Sequence, residues 1–333
     1  QSAEPGSTFK LASYMAAIED GKIDTSDIVD TEDGTFTVYR KTIRDSHHGG
    51  YGKISVKRAF EVSSNTAITK LIYQNYKSNP AAFTSRLHKM HLNDKLGLQI
   101  PGEGDPLIKT PKSRSWSGLS LPQMAYGYEL KVTPLQMLAL YNAVANNGKM
   151  IAPLFVKEVR RLGHTVEKFE ARVINEKIAS DETLGKVRGM LEGVVEEGTA
   201  KVLKNSLFKM AGKTGTAQMA DGAAGYKTNR RYQGSFAGYF PADKPKYSMI
   251  VVVQNPRKGG YYAISVAAPV FKEIAERVYA GDTQMYHDLN NLKFTSAYGM
   301  PQIKNGFLKD SQYVSNAFGL KANRLQKDTT RKF

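Results

Sequence analysis

Near residue 205 the hydrophobic period of this chain changes, so any fold it adopts must combine helices with strands. Before that point apolar residues recur at helical spacing. Phe9, Leu11, Tyr14, Met15 and Ile18 form one such set, and Ile68, Leu71, Ile72 and Tyr76 a second. Leu135, Leu138, Tyr141 and Val144 form a third, and a helical pattern returns at 180–204. After it the period drops to two. Lys213–Met219, Ser235–Phe240 and Tyr247–Gln254 read as three strands, the last two joined by a proline-containing turn at 241–246. A final helix is expected over Ala263–Tyr279, with Pro269 as a kink or a delayed start.

Boundary residues sharpen this reading. Pro5-Gly6-Ser7 leads into the first helix and Gly21 ends it. Residues 30–52 read as loops and a short hairpin. Ser55 caps a helix through Val62, Ser63-Ser64-Asn65 breaks it, and a further helix runs from Thr66 to about Tyr76. Residues 97–122, rich in Gly, Pro and Ser, read as irregular. Thr133 and Pro134 supply an N-cap and a first helical residue, and Asn147-Gly148 closes that helix.

Composition narrows the function classes. The 333 residues, 41% hydrophobic and 23% charged, suit a folded chain of one large or two ordinary domains. The purest apolar run, Met249–Val253, falls far short of the ~18 residues a membrane helix needs. With no cysteine, disulfides, thiolate metal sites and a cysteine nucleophile are excluded. The six histidines show no ligand spacing, so neither a metal nor a cofactor is expected. The net charge of +16 favours anionic partners. Its carriers are scattered in small groups, such as Lys109, Lys112 and Arg114, or Lys227, Arg230 and Arg231. They read as a solvated basic surface. No zinc-finger spacing or aromatic RNA-binding signature supports a nucleic-acid partner.

Three short motifs carry the chemistry: Ser7-x-x-Lys10, Ser63-x-Asn65 and Lys213-Thr214-Gly215. Each is common by itself, and Ser206-x-x-Lys209 repeats the first by chance. Their order and wide spacing form a known triple set. Residues i and i+3 share a helix face, so Lys10 is within reach of Ser7. A serine needs a base to become a nucleophile. A lysine serves as that base when burial or a neighbouring cation lowers its pKa. Ser7 in a first helical turn has a free backbone N–H, and the backbone N–H of Thr216 on an edge strand would complete an oxyanion hole. Gly212 and Gly215 are expected to keep that edge open to a substrate.

On these residues the chain resembles the class B penicillin-binding proteins. The resemblance rests on Glu4-Pro5-Gly6-Ser7-Thr8-Phe9-Lys10, Ser63-Ser64-Asn65 and Lys213-Thr214-Gly215-Thr216-Ala217-Gln218. Gly127–Gln136, Val194–Ala200 and Ser235–Pro241 extend it. It covers about 1–281 and is most similar to the division-type, FtsI-like branch. It implies an α/β (α+β) fold, with an antiparallel sheet flanked by helices and an all-helical lobe, shared with serine β-lactamases. The implied activity is peptidoglycan D,D-transpeptidation. Ser7 would attack the penultimate D-alanine carbonyl of a stem peptide, with Lys10 as its base. Ser63 would relay a proton to the leaving nitrogen, and Asn65 would hold Lys10 and the substrate amide. Lys213, Thr214 and Thr216, with Gly215 between them, would bind the terminal carboxylate. β-Lactams would acylate the same serine.

The resemblance also implies an extracytoplasmic position at the inner membrane, with a glycosyltransferase and divisome proteins as partners. Relatives carry a membrane anchor, a pedestal and two sheet strands before the first motif. Here the sequence starts six residues before Ser7, so a truncated chain is expected. Residues 282–333 are expected to form a linker or extension toward a PASTA-type module. A β-lactamase, a penicillin sensor or a D,D-carboxypeptidase would share the three motifs. A wall-binding scaffold and a nucleic-acid binder are the non-enzymatic alternatives. Whether the loop at 219–234 closes on substrate is open at this level.

Overall fold

The computed structural model describes residues 1–204, 207–219, 231–258 and 260–282, with 313, 316 and 317 beyond them. A first compact unit comprises Gln1–Val278; Tyr279–Phe333 forms the second. Most of the expected extension at 282–333, the tip of the 219–234 loop and Ser206 of the chance motif lie outside the described residues.

The N-terminal half is helical with small β elements. A 3-10 turn, Gly6–Phe9, runs into α1 (Lys10–Glu19). β1 (Ile28–Asp30) pairs with β4 (Lys53–Ser55) around the hairpin β2 (Thr35–Val38) and β3 (Lys41–Arg44). α2 (Val56–Glu61), α3 (Asn65–Tyr76) and α4 (Pro80–Lys89) follow. β5 (Leu107–Ile108) and the start of α5 (Ser120–Met124) fall in the stretch expected to be irregular, and β5 pairs with β6 (Leu130–Lys131) beyond it. α6 (Pro134–Ala145) leads to β7 (Met150–Ile151), the hairpin β8 (Glu158–Arg161) and β9 (His164–Lys168), and β10 (Val173–Asn175), which returns to β7. α7 (Asp181–Glu196) then precedes the sheet.

That sheet is antiparallel, in the order β11 (Ala211–Met219), β12 (Arg231–Phe240), β13 (Tyr247–Gln254). α8 (Ala263–Val266) and α9 (Ala268–Gly281) close the unit, and the helix expected from Ala263 is broken at Ala267, ahead of Pro269. Phe271 of α9 packs edge-on against Phe236 and Phe240, which share one face of β12. On the other face Asn142 of α6 bonds the Ser248 hydroxyl at 2.9 Å, opposite Tyr239. Lys213 pairs with Ala237, so it shares the α6 face.

Local chemistry explains several boundaries. Thr133 and Gln136 close a reciprocal capping box on α6, with Pro134 as first helical residue. Ser55 caps α2 and Ser64 caps α3. α1 departs from an amphipathic expectation, since Lys10 to Ile18 are all buried. Small residues Ala12, Ser13, Ala16 and Ala17 fill the side facing away from its apolar stripe, which lets other elements pack all round it.

One close approach fixes the turn that carries Ser7. The Gly6 N–H donates to Gly127 O at 3.1 Å, and a Cβ on Gly127 would fall 2.1 Å from Gly6 O. Gly127 also has φ +88°. Gly127→Ala is therefore expected to lower stability by about 2–4 kcal/mol. Gly185→Ala, in open space on the exposed side of α7, should raise it by about 0.5–1 kcal/mol. Thermal unfolding of the two variants checks the opposite signs.

Candidate active site

Ser63 is where the three motifs meet. It lies between α2 and α3 with φ +60°, a conformation that favours glycine. Its N–H donates to Phe60 O at 3.0 Å, ending α2. A glycine would fit this backbone without strain but would lack the hydroxyl around which two lysines gather. Lys10 Nζ donates to Ser63 O at 2.6 Å, to Ser63 Oγ at 3.2 Å and to Asn65 Oδ1 at 2.7 Å. Lys213 Nζ donates to the same Oγ at 2.8 Å and to Thr214 O at 3.1 Å. It also lies 5.7 Å from the Phe60 ring centre, where the ring face favours a cation.

Both lysines are fully buried. Burial pulls Lys10 down to about 7, against the charge of Asp45, which acts to raise it. Burial, with the charge of Lys10 adding to it, holds Lys213 well below the ordinary lysine range. An amine near neutrality that is partly unprotonated can accept a proton, which an exposed lysine cannot do.

Ser7 is half-buried in the turn ahead of α1, and among the described residues its hydroxyl makes no hydrogen bond. Among the described residues no hydrogen bond joins Lys10 to Ser7; the Lys10 amine is held by Ser63 and, as the resemblance implies, by Asn65. The i,i+3 spacing still places both residues at one end of α1.

The third motif departs in one respect. β11 stands at one end of the described strand order, and the space left by Gly212 and Gly215 is taken up by neighbouring groups. A Cβ at Gly215 would fall 2.8 Å from Thr8 Cγ2 and 2.7 Å from Ser235 Oγ, and one at Gly212 would meet the Phe236 ring at 2.6 Å. The missing side chain at Gly215 brings β11 against the Ser7 turn. Thr214 Oγ1 lies 2.8 Å from Thr199 Oγ1, and Thr216 Oγ1 accepts the Ala263 N–H at 3.1 Å. The Thr216 hydroxyl proton is left for another acceptor.

Sequence reasoning missed the residues that support this cluster. Tyr141 on α6 donates to Thr8 O at 2.9 Å, behind the Ser7 turn. Asp45 takes hydrogen bonds from Ser64, Asn65 and Thr66. An acidic group at a helix N-terminus is a recognisable signal, but this one comes from 20 residues upstream of Asn65, where no local pattern shows it. A separate cavity of about 620 Å³, lined by Glu19, Ser85, Arg86, His88 and Lys89 among others, shares no residue with the cluster.

Comparison with known proteins agrees with this geometry. Residues 1–276 match the penicillin binding protein transpeptidase domain. The chain belongs to that family. It is 32% identical over 280 residues to penicillin-binding protein PbpB of Mycolicibacterium smegmatis, covering 82% of this chain and 42% of that protein. It is 28% identical over 273 residues to peptidoglycan D,D-transpeptidase FtsI of Escherichia coli K12, with 81% and 42% coverage. The crystal structure of penicillin-binding protein 3 from Mycobacterium tuberculosis complexed with aztreonam is similar at 29% identity and TM-score 0.73, over 84% of this chain and 63% of that one. The transpeptidase domain of Burkholderia pseudomallei penicillin-binding protein 3 gives 26% identity and TM-score 0.72, over 84% and 80%. The chain thus spans about two fifths of the length of these curated relatives. The expected fold, an antiparallel sheet flanked by helices, is the one observed.

Burial of Lys10 has a consequence for stability. Its folded pKa, about 7, lies below the unfolded value of 10.5. Between these values the unfolded chain binds more protons, so stability rises with pH there. Lys10→Met removes the titration. Its stability relative to wild type should fall steadily as pH rises from about 7 to about 10.5. Chemical denaturation at several pH values checks this; a pH-independent difference would contradict a depressed Lys10.

Proposed function

We propose that this chain is a serine D,D-transpeptidase domain that cross-links peptidoglycan stem peptides. The observation that carries this reading is the meeting of two buried amines on Ser63 Oγ, one of them from Lys10, three residues after Ser7.

In this mechanism unprotonated Lys10 takes the Ser7 proton as Oγ attacks the penultimate D-alanine carbonyl carbon. The backbone N–H groups of Ser7 and Thr216 receive the developing oxyanion. The C–N bond to the terminal D-alanine breaks as Ser63 passes a proton from the lysine pair to the leaving amine. This leaves an ester on Ser7. An amine from a second stem peptide then attacks that ester, Ser7 recovers its proton, and a new peptide bond is made. Asn65 holds Lys10 and the substrate amide. Lys213, Thr214 and Thr216 receive the terminal carboxylate, whose charge would favour the protonated form of Lys213 against the burial that lowers its pKa.

β-Lactams present the same carbonyl next to a carboxylate and would acylate Ser7. The M. tuberculosis relative with its bound aztreonam supports this reading. Division-type relatives such as FtsI support a role in septal wall synthesis outside the cytoplasmic membrane. We include in the proposal a glycosyltransferase and divisome partners, and a role for 282–333 as an extension of the catalytic unit.

Incubation with benzylpenicillin followed by intact-mass measurement tests the reading. One stable adduct is expected, absent in Ser7→Ala. Ser63→Ala should form it about 10²–10⁴-fold more slowly. Penicillin consumed without an accumulating adduct would point to a β-lactamase instead. No reaction at all would contradict the proposal for this chain.

A further inference from the structure

Asp45 belongs to none of the three motifs, yet it holds the segment on which Lys10 depends. It follows β3 and is half-buried. Its Oδ1 accepts from the backbone N–H of Asn65 at 2.6 Å and of Thr66 at 2.9 Å, and from the Ser64 hydroxyl at 3.0 Å. Its Oδ2 faces the same hydroxyl at 2.9 Å. Asn65 and Thr66 open α3, where N–H groups lack intrahelical partners and the helix end attracts a negative charge. Ser64 caps that helix by accepting the Ala67 N–H at 2.9 Å, which leaves its hydroxyl proton for Asp45. The Asn65 side chain returns to the same loop, with Nδ2 donating to Arg44 O at 2.9 Å.

Among the described residues, every hydrogen-bond acceptor of Lys10 lies in this segment: Ser63 O, Ser63 Oγ and Asn65 Oδ1. The side-chain amide of Asn65 is thus stretched between the Lys10 amine and the backbone beside Asp45. We infer that Asp45 is a positioning residue for the site: its carboxylate fixes the Ser63–Thr66 backbone, and its negative charge offsets the buried amine of Lys10. The first half stands on geometry alone. The second bears on catalysis only through the reading of Lys10 as the base for Ser7.

Among the described residues, the charges felt by Lys10 and its neighbours come from Lys213 on β11 and Asp45 in the loop after β3; the buried Tyr14 phenol on α1 feels the same Asp45 charge. Burial, with the Asp45 charge adding to it, keeps Tyr14 protonated far above neutral pH, and Tyr51 beside Asp45 is shifted in the same direction by the same two causes. The charge of Arg58 acts on Tyr51 in the opposite direction, and Glu61 on α2 is tied to Arg58 at 3.0 Å. Lys213 is therefore the other group to follow in any titration of Lys10.

Asp45→Asn separates charge from shape. The Asn oxygen can keep the three bonds made by Oδ1, and the amide replaces only the oxygen facing Ser64. Asp45→Ala removes all of them. The protein is labelled with ¹³C-lysine, the Lys10 signal is assigned by its loss in Lys10→Arg, and Lys213 is followed in the same spectra. In Asp45→Asn the Lys10 midpoint should drop by about half a unit to one unit. In Asp45→Ala, shown to be folded by its circular dichroism, acylation by benzylpenicillin should slow about 10–100-fold. An unchanged Lys10 midpoint in Asp45→Asn would overturn the charge role. Wild-type acylation in folded Asp45→Ala would overturn the positioning role. If the wild-type protein takes up no penicillin, the transpeptidase reading falls, and the Lys10 titration alone decides on Asp45.

Discussion

Two lysine amines buried against one serine hydroxyl set the terms for the rest of this structure. Taking an ammonium group out of water costs several kcal/mol even after the protein relaxes, and two near each other add repulsion. Neither Lys10 nor Lys213 forms an ion pair among the described residues. Their support is a set of neutral acceptors, the face of Phe60 and the more distant charge of Asp45. The balance leaves Lys10 near its midpoint at neutral pH, where an amine both takes up and releases a proton. A less buried pair would stay charged; a pair without hydrogen bonds would be too costly to keep.

Much of the fold serves to hold that arrangement. α1 is enclosed on all sides, so Lys10 has no route to solvent along its own helix. Tyr14, one turn on, meets Phe60 edge-on at 5.2 Å and ties α1 to the end of α2. The Val194–Ala200 segment closes the far side: Thr199 N–H donates to Glu61 O at 3.1 Å, and its hydroxyl reaches Thr214. Gly215 lets β11 approach the Ser7 turn, and Tyr141 holds that turn from α6. Left-handed Ser63 is a local strain that the surrounding contacts sustain, as is common where a side chain must face a reacting group.

Elements whose causes are local were legible in the sequence. Thr133-Pro134, Ser55 and the alternation of Tyr247–Gln254 gave boundaries close to those observed. α4 was missed although Pro80 stands at its first position, because its apolar residues are few and it closes on Arg86, His88 and Lys89. The paired strands β5–β6 and β7–β10 are two or three residues long, too short for any periodicity, and exist because neighbours bring them together. The β8–β9 hairpin is exposed along nearly its whole length, with Leu162 at its turn 92% exposed, so no buried face marked it. At the site, the motifs named Ser7, Lys10, Ser63, Asn65 and Lys213 but not their connections. The hold of Asn65 on Lys10, which the resemblance implies, is formed; that Lys10 also bonds Ser63, and that Asp45 braces the segment, follows from contacts across 19 to 55 residues of chain.

The central claim is that Lys10 is a buried amine poised to lose its proton near neutrality and so to activate Ser7. The most direct test is the second-order rate of acylation by benzylpenicillin, followed in the wild-type protein from about pH 5.5 to about pH 9. The account predicts a rate that rises with pH and levels off, with a midpoint near the Lys10 value of about 7. A rate that is flat across this range, or one that rises only toward the ordinary lysine pKa, would contradict it.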